Sequence, residues 1–247
     1  MTGPGPVVGG LDGCPAGWVL VTVPAAGPLR GVPEVTVSEV TVSEVTVIAD
    51  LGPVLAALES GRMVAAAIDI PIGLPSRGPR ACDTEARRLI GPRRSSVFPA
   101  PVRSVLGART YGEATDLSRR ASGRGVSKQL FNILPKVREV DELQSRQLQD
   151  RLFEMHPELS FTVLAGAPMR SNKRTADGRA ERVAALRAAL GDVDHLMAGP
   201  PPAGAKRDDV LDAMVGAWTA RRYLAGTHLA LGGGEVDERG LRMEILA

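Results

Sequence analysis

Aromatic residues are scarce in this chain: two Trp, two Tyr and four Phe among 247 residues. The scarcity gives no sign of an extended stacking platform for single-stranded nucleic acid, and it leaves a core built mostly of Ala, Val and Leu. Cysteine is nearly absent. Cys14 and Cys82 are too few and too far apart for a metal-ligand spacing or a disulfide framework, which fits a reducing compartment. Lysine is limited to Lys128, Lys136, Lys173 and Lys206, so arginine carries almost all the positive charge. An excess of one sign is also missing. A net charge of +2 and a pI of about 8.7 are too near neutral to argue for a nucleic-acid partner from charge alone. No run reaches the roughly 18 apolar residues of a membrane span. Met1 to Pro6 shows no basic stretch leading into an apolar one, so the expectation is a cytoplasmic protein with no membrane partner.

What the chain does have is two aspartates closing two apolar runs. Asp12 ends Val7-Val8-Gly9-Gly10-Leu11-Asp12, and Asp69 ends Met63-Val64-Ala65-Ala66-Ala67-Ile68-Asp69. Short apolar runs stopped by Gly or Pro read as buried strands, so each carboxylate falls where a sheet opens to solvent. Two such carboxylates on neighbouring strands need a cation between them.

The elements around them suggest an α/β start. Val7–Asp12 and Gly17–Val23 read as strands, and a third strand starts near Glu34. That third segment repeats Glu-Val-Thr-Val from Glu34, Glu39 and Glu44. A five-residue period conflicts with the two-residue period of a strand, so the repeat reads as a short duplication at a sheet edge. Asp50 reads as an N-cap for a helix that stops at Gly61, and the Asp69 strand follows. Three meandering strands, a crossover helix and a parallel strand would bring Asp12 and Asp69 to one sheet edge, where open α/β sheets bind ligands. Residues 71–150 are Pro-punctuated and read as an insertion within one domain spanning 1–247, with helices at Cys82–Ile90 and from Val137 to about Gln149. A short fifth strand, Arg151–His156, is stopped by Pro157. Helices over Arg179–Leu190 and from Asp208 to Leu224 come next, then a Gly-rich tail with a terminal strand near Leu241–Leu246.

The last helix opens Asp208-Asp209-Val-Leu-Asp212-Ala213. Asp209 and Asp212 share one face, and Ala213, Gly216 and Ala220 continue it with side chains small enough for close approach to a sheet. Capping alone would need one aspartate, not three. Glu154 and His156 alternate along the fifth strand and point to one side; His156 is read as a proton shuttle or, by preference, as orienting Glu154.

A strand-one Asp, a strand-four Asp and an acidic pair opening the last helix resemble the ribonuclease H-like superfamily, and the Asp-x-x-Asp spacing is similar to that of RuvC-type resolvases. The closer resemblance is to domain-of-unknown-function family 429, described as predicted nucleases of ribonuclease H fold. It rests on Gly10-Leu-Asp12-Gly-Cys-Pro-Ala-Gly17-Trp18, Ile68-Asp69-Ile-Pro71-Ile-Gly73-Leu-Pro75, Arg94-Ser95-Ser96-Val97-Phe98-Pro99 and Ser127-Lys128-Gln129. It continues in Asn132-Ile-Leu-Pro135-Lys136, Glu154-Met-His156-Pro157-Glu158, Ser171-Asn-Lys173 and Asp209-Val-Leu-Asp212. The resemblance implies a five-stranded mixed sheet, with strands 1–3 an antiparallel meander and strands 4 and 5 parallel.

It also implies phosphodiester hydrolysis by two Mg2+ or Mn2+ ions about 3.5–4 Å apart. Asp12 (bridging), Asp69 and Asp212 are the expected metal ligands, with Asp209 and Glu154 as secondary ligands or water-orienting groups. Arg94, Ser95, Ser96, Lys128, Gln129, Lys136 and Lys173 are candidate contacts to phosphate of a nucleic acid or nucleotide substrate. Two other classes stay open: a non-catalytic binding module on the same fold, and a phosphotransferase of the actin and sugar-kinase type. The second would need a duplicated domain and phosphate loops richer in Gly than Asp12-Gly13-Cys14-Pro15.

Overall fold

The computed structural model describes residues 5–25, 42 and 44–247. The chain divides into two compact units. The first comprises residues 1–69, 151–229 and 246–247; the second comprises 70–150 and 230–245.

The first unit is built on a five-stranded sheet. Its strands are β1 (Val7–Cys14), β2 (Gly17–Pro24), β3 (Glu44–Ile48), β4 (Met63–Ile68) and β5 (Leu152–Glu154). Their order is β3-β2-β1-β4-β5. β1 and β2 form an antiparallel hairpin closed at Cys14 and Gly17, and β3 runs antiparallel to β2 at the edge. β4 is parallel to β1, and β5 is parallel to β4. This is the expected meander followed by parallel strands. β1, β2 and β4 are buried along nearly their whole length, as their unbroken apolar runs require. Only the third copy of the Glu-Val-Thr-Val repeat forms β3, where Val45 and Val47 pack against the core. The strand start near Glu34, the first copy and all of the second except the buried Val42 lie outside the described residues.

Helices complete the unit: α1 (Gly52–Glu59) before β4, then α6 (Pro157–Ala165), α7 (Ala176–Leu190), the short α8 (Asp194–Ala198) and α9 (Arg207–Leu224). α9 lies against β1, β2 and β4, and it packs in turn on α6 and α7. Its approach to β1 is at backbone distance. A Cβ on Gly10 would fall 2.0 Å from the Ala213 carbonyl oxygen and 2.1 Å from the Ala217 nitrogen, and one on Gly216 would fall 3.1 Å from the Gly10 Cα. The small face read from Ala213, Gly216 and Ala220 is the one that meets the sheet.

The second unit holds α2 (Ala81–Leu89), α3 (Tyr111–Ser122), α4 (Lys128–Leu143), the short α5 (Arg146–Gln149) and two 3-10 turns, Gly91–Ser96 and Arg103–Gly107. Short strands β6 (Ala230–Leu231) and β7 (Ile245–Leu246) form a separate two-stranded sheet. An apolar cluster of Val102, Val105, Ala114, Val126, Leu130 and Leu134 lies under α3 and α4. A carboxylate, Asp237, ties the loops: it accepts from the Leu74 and Leu241 N–H groups and from Arg103, which also forks onto Asp141.

Several sequence expectations are corrected. Asp50 is not the N-cap of α1; Leu51 is, while Asp50 accepts from the Gly52 N–H one position outside the helix. The helix placed at 137–149 starts at Lys128, capped by Ser127, and carries Pro135 inside it before breaking at Gln144. The fifth strand is only Leu152–Glu154, because Pro157 opens a helix instead of merely ending a strand. α7 starts three residues before Arg179, at a Thr175 cap. The terminal strand shrinks to Ile245–Leu246. Cys14 and Cys82 are both buried and free. Among the described residues no helix is long and apolar enough to cross a membrane.

Candidate carboxylate site

Asp12 and Asp69 meet because of strand register. Leu11 pairs with Ile68 across the parallel β1–β4 ladder, and the Asp69 N–H donates to the Leu11 carbonyl at 3.0 Å. The next residue on each strand is therefore an aspartate, at the same edge. Their carboxyl groups hydrogen-bond to each other. Ionised carboxylates only accept, so such a contact favours the protonated form of one of the two.

α9 delivers the third carboxylate. The contact between Gly10 and Ala213 brings the first turns of α9 over the end of β1, and Asp212 is almost wholly buried there. Asp209, one turn earlier, is half-buried and accepts from the Lys206 N–H at 2.8 Å. It caps the helix, yet its charge still acts on Asp12.

The electrostatics follow from crowding. Burial pushes the Asp12 carboxyl well above its ordinary range, Asp212 and Asp69 push it further, and Lys173 only partly opposes them. Asp69 is raised to about 7, first by burial and then by Asp212, against the pull of Lys173 and of its bond with Asp12. Asp209 is raised too, mainly by burial. The ammonium of Lys173 donates to Asp212 Oδ2. Burial disfavours the lysine charge, but Asp212, Asp12 and Asp69 outweigh that and raise its pKa.

Lys173 is held there by α7. The Arg170 and Ser171 N–H groups donate to Glu181, and Arg182 donates to the Ser171 carbonyl. A Cβ on Gly178 would fall 1.9 Å from the Asn172 carbonyl oxygen, so the segment before Lys173 lies flat on the helix. Arg182 also forks onto Glu158 of α6 at 2.7 and 3.0 Å, both groups buried. This Glu158–Arg182 pair, with Glu181, positions Lys173, the cation that reaches Asp212. Sequence reading missed all three of these roles. Glu158 was legible only as part of a family-type segment, and Arg182 carried no signal.

The structure thus joins Asp12, Asp69, Asp209, Asp212 and Lys173. Glu154 is buried at the end of β5, paired with Ile68, but it is not among the main charges acting on Asp12 or Asp69. His156 caps α6, its Nδ1 accepting from the Leu159 N–H at 3.4 Å, a role that the sequence did not suggest. The remaining phosphate candidates belong to the second unit. Arg94 and Ser95 are exposed on the 3-10 turn Gly91–Ser96, and Ser96 Oγ donates to the Arg93 carbonyl at 2.8 Å. Lys128 and Gln129 are exposed at the start of α4, and Lys136 is half-buried about two turns on.

Among the described residues no three His, Cys, Asp or Glu stand assembled as a metal-binding group. In their place the Lys173 ammonium sits on Asp212. The chemistry of the donor set nonetheless fits a hard divalent ion. All of its donors are carboxylate oxygens, and they are under-neutralised.

Residues 10–235 match the family described as Protein of unknown function (DUF429). No curated protein and no solved structure matches the chain.

Proposed function

The chain belongs to the DUF429 family, and we propose that it is a divalent-metal-dependent nuclease of ribonuclease H-like architecture, hydrolysing phosphodiester bonds. One observation carries this reading: four aspartates from β1, β4 and α9 act on one another with Lys173 as the cation seated among them. Support for the architecture is the strand order, an antiparallel meander continued by two parallel strands.

Asp12, Asp69 and Asp212 would hold Mg2+ or Mn2+, with Asp209 and Glu154 as outer groups. A bound divalent ion supplies an activated water and charge for the leaving oxygen. The chain's own groups prepare for it. Asp12 and Asp69 would serve as ligands in their ionised form, and Lys173, if displaced from Asp212, would have donors to offer a phosphate oxygen.

The seat of Lys173 also favours a second reading. A lysine already neutralising Asp212 suits a non-catalytic module that binds nucleic acid or nucleotide without cleaving it.

Cleavage assays with Mn2+ on single-stranded, duplex, hybrid and branched substrates separate the two. The nuclease reading expects cleavage of at least one, abolished by Asp12→Asn. Binding without cleavage in any metal selects the module. Calorimetry tests the site itself: manganese affinity left unchanged by both Asp12→Asn and Asp69→Asn overturns the ligand assignment.

A further inference from the structure

The second unit carries an open groove of about 630 Å³ between the 3-10 turn Arg103–Gly107 and helix α4. We infer that this groove binds a nucleoside monophosphate, its base on Phe131 and Asn132 and its phosphate on Arg109 and Arg138. The inference is independent of the carboxylate site.

The size suits a ligand of that class, since small-molecule sites span roughly 300–1,000 Å³. The lining supplies the three kinds of contact a nucleotide needs. Phe131 offers a ring, held in place by an edge-on contact with Tyr111 at 5.6 Å between centroids and 77° between planes. Tyr111 is itself anchored, its hydroxyl donating to the Val126 carbonyl at 2.9 Å. In a chain with so few aromatics, a fixed ring in a groove is a rare surface for stacking. Asn132 offers an amide, one donor group and one acceptor, the pair that reads a base edge. It is exposed, and its side chain bonds to no other residue among those described.

Two guanidiniums supply the anion contact. Nε and Nη2 of Arg138 donate to the Leu106 and Ala108 carbonyls. That grip fixes the planar group and leaves Nη1 with no protein acceptor among the described residues. Arg109 is exposed at the groove, and its guanidinium pairs with nothing among the described residues; only its backbone N–H is used, donating to Glu113. Fixed and free guanidiniums together suit a phosphate, which accepts from several donors at once. No carboxylate lines the groove to repel it.

One backbone feature keeps the groove open. Gly107 has no left-handed φ, and a Cβ there would meet nothing within 4 Å. A side chain at 107 would therefore enter empty space and not strain the fold. The apolar cluster beneath, Val105, Leu130 and Leu134, makes this a rigid floor.

Calorimetry on the full chain in EDTA, with adenosine 5′-monophosphate, adenosine and inorganic phosphate, tests the site. The mononucleotide is expected to bind at least about tenfold more tightly than adenosine or phosphate. Asn132→Ala and Arg109→Ala should each weaken it by about fivefold or more, and Gly107→Leu should remove it with the melting temperature unchanged. Asp12→Asn should bind it as the wild type does, whether or not the carboxylate site is a nuclease. A 5′-phosphorylated dinucleotide binding at least as tightly assigns the groove to the end of a strand; weaker binding assigns it to the free mononucleotide. The inference is overturned if the mononucleotide does not bind, if phosphate alone binds equally well, or if Gly107→Leu leaves binding intact.

Discussion

Lys173 is the residue on which the carboxylate site turns. It is one of four lysines in a chain that otherwise uses arginine, and its ammonium is held on a buried carboxylate by a segment pinned to α7. Removing it should have two opposite consequences. In metal-free protein, Lys173→Met leaves Asp212 buried beside Asp12 with no counter-charge. The loss expected is about 1–2 kcal/mol by urea unfolding, below the 3–5 kcal/mol of a fully buried pair because solvent reaches the lysine. If the site holds a divalent ion, the same change removes the competitor and tightens manganese binding, read by calorimetry. Weaker manganese binding in Lys173→Met would mean that the lysine supports the site and does not plug it.

At the scale of elements, the determining contact is α9 on β1. Backbone meets backbone there, so volume cannot be added. Gly10→Ala is expected to cost about 3 kcal/mol or more, since the Ala213 carbonyl and Ala217 nitrogen belong to a helix wedged against three strands. It should also pull Asp212 away from Asp12, lowering manganese affinity together with stability. Gly112→Ala is the matched control. Gly112 lies in the first turn of α3, where a Cβ meets nothing within 4 Å, and the change should stabilise by about 0.5 kcal/mol. Equal effects from the two substitutions would show that helix propensity, and not close approach, governs Gly10. The missed elements had readable signals. Thr110 followed by Glu113 is an N-terminal pattern for α3, and Pro157 followed by Glu158 is one for α6. Pro135 lies inside α4, which a reading of the helix from Val137 left out.

At the scale of the molecule, two sets of carboxylates bend stability in opposite directions with pH. Burial would raise Asp237, but the Leu241 and Leu74 N–H groups and Arg103 outweigh it and hold its pKa below the usual 3.8. A lowered carboxyl stabilises above its unfolded pKa, and that contribution is lost as pH falls through the folded value. Asp69 has the reverse sign. Its folded pKa of about 7 lies above 3.8, so the folded state binds more protons between those values, and metal-free stability should fall as pH rises from about 4 to about 7. The slope from one such group is at most about 1.4 kcal/mol per pH unit. Melting curves in EDTA should therefore decline over that window, and Asp69→Asn should flatten the decline. Manganese should raise the melting temperature at pH 7.5 and have little effect at pH 5. A flat EDTA profile in the wild type would contradict the crowding described for Asp12 and Asp69.

The sequence by itself determined the first, second and fourth strands and the carboxylates that end the first and fourth. Apolar runs that end in Asp12 and Asp69 have no stable place but a buried sheet opening at one edge, and the small face of Ala213, Gly216 and Ala220 admits only close packing. Composition likewise determined that any metal held there would meet oxygen ligands, since clustered His and Cys are missing. Tertiary structure alone decided what neutralises those carboxylates. Lys173 reaches Asp212 because Glu158, Arg182 and Glu181, distant along the chain, meet between α6 and α7 and fix the segment before it. Local propensity and periodicity carry no information about such long-range ion pairs, because their strength depends on distance and burial that exist only once the chain has folded.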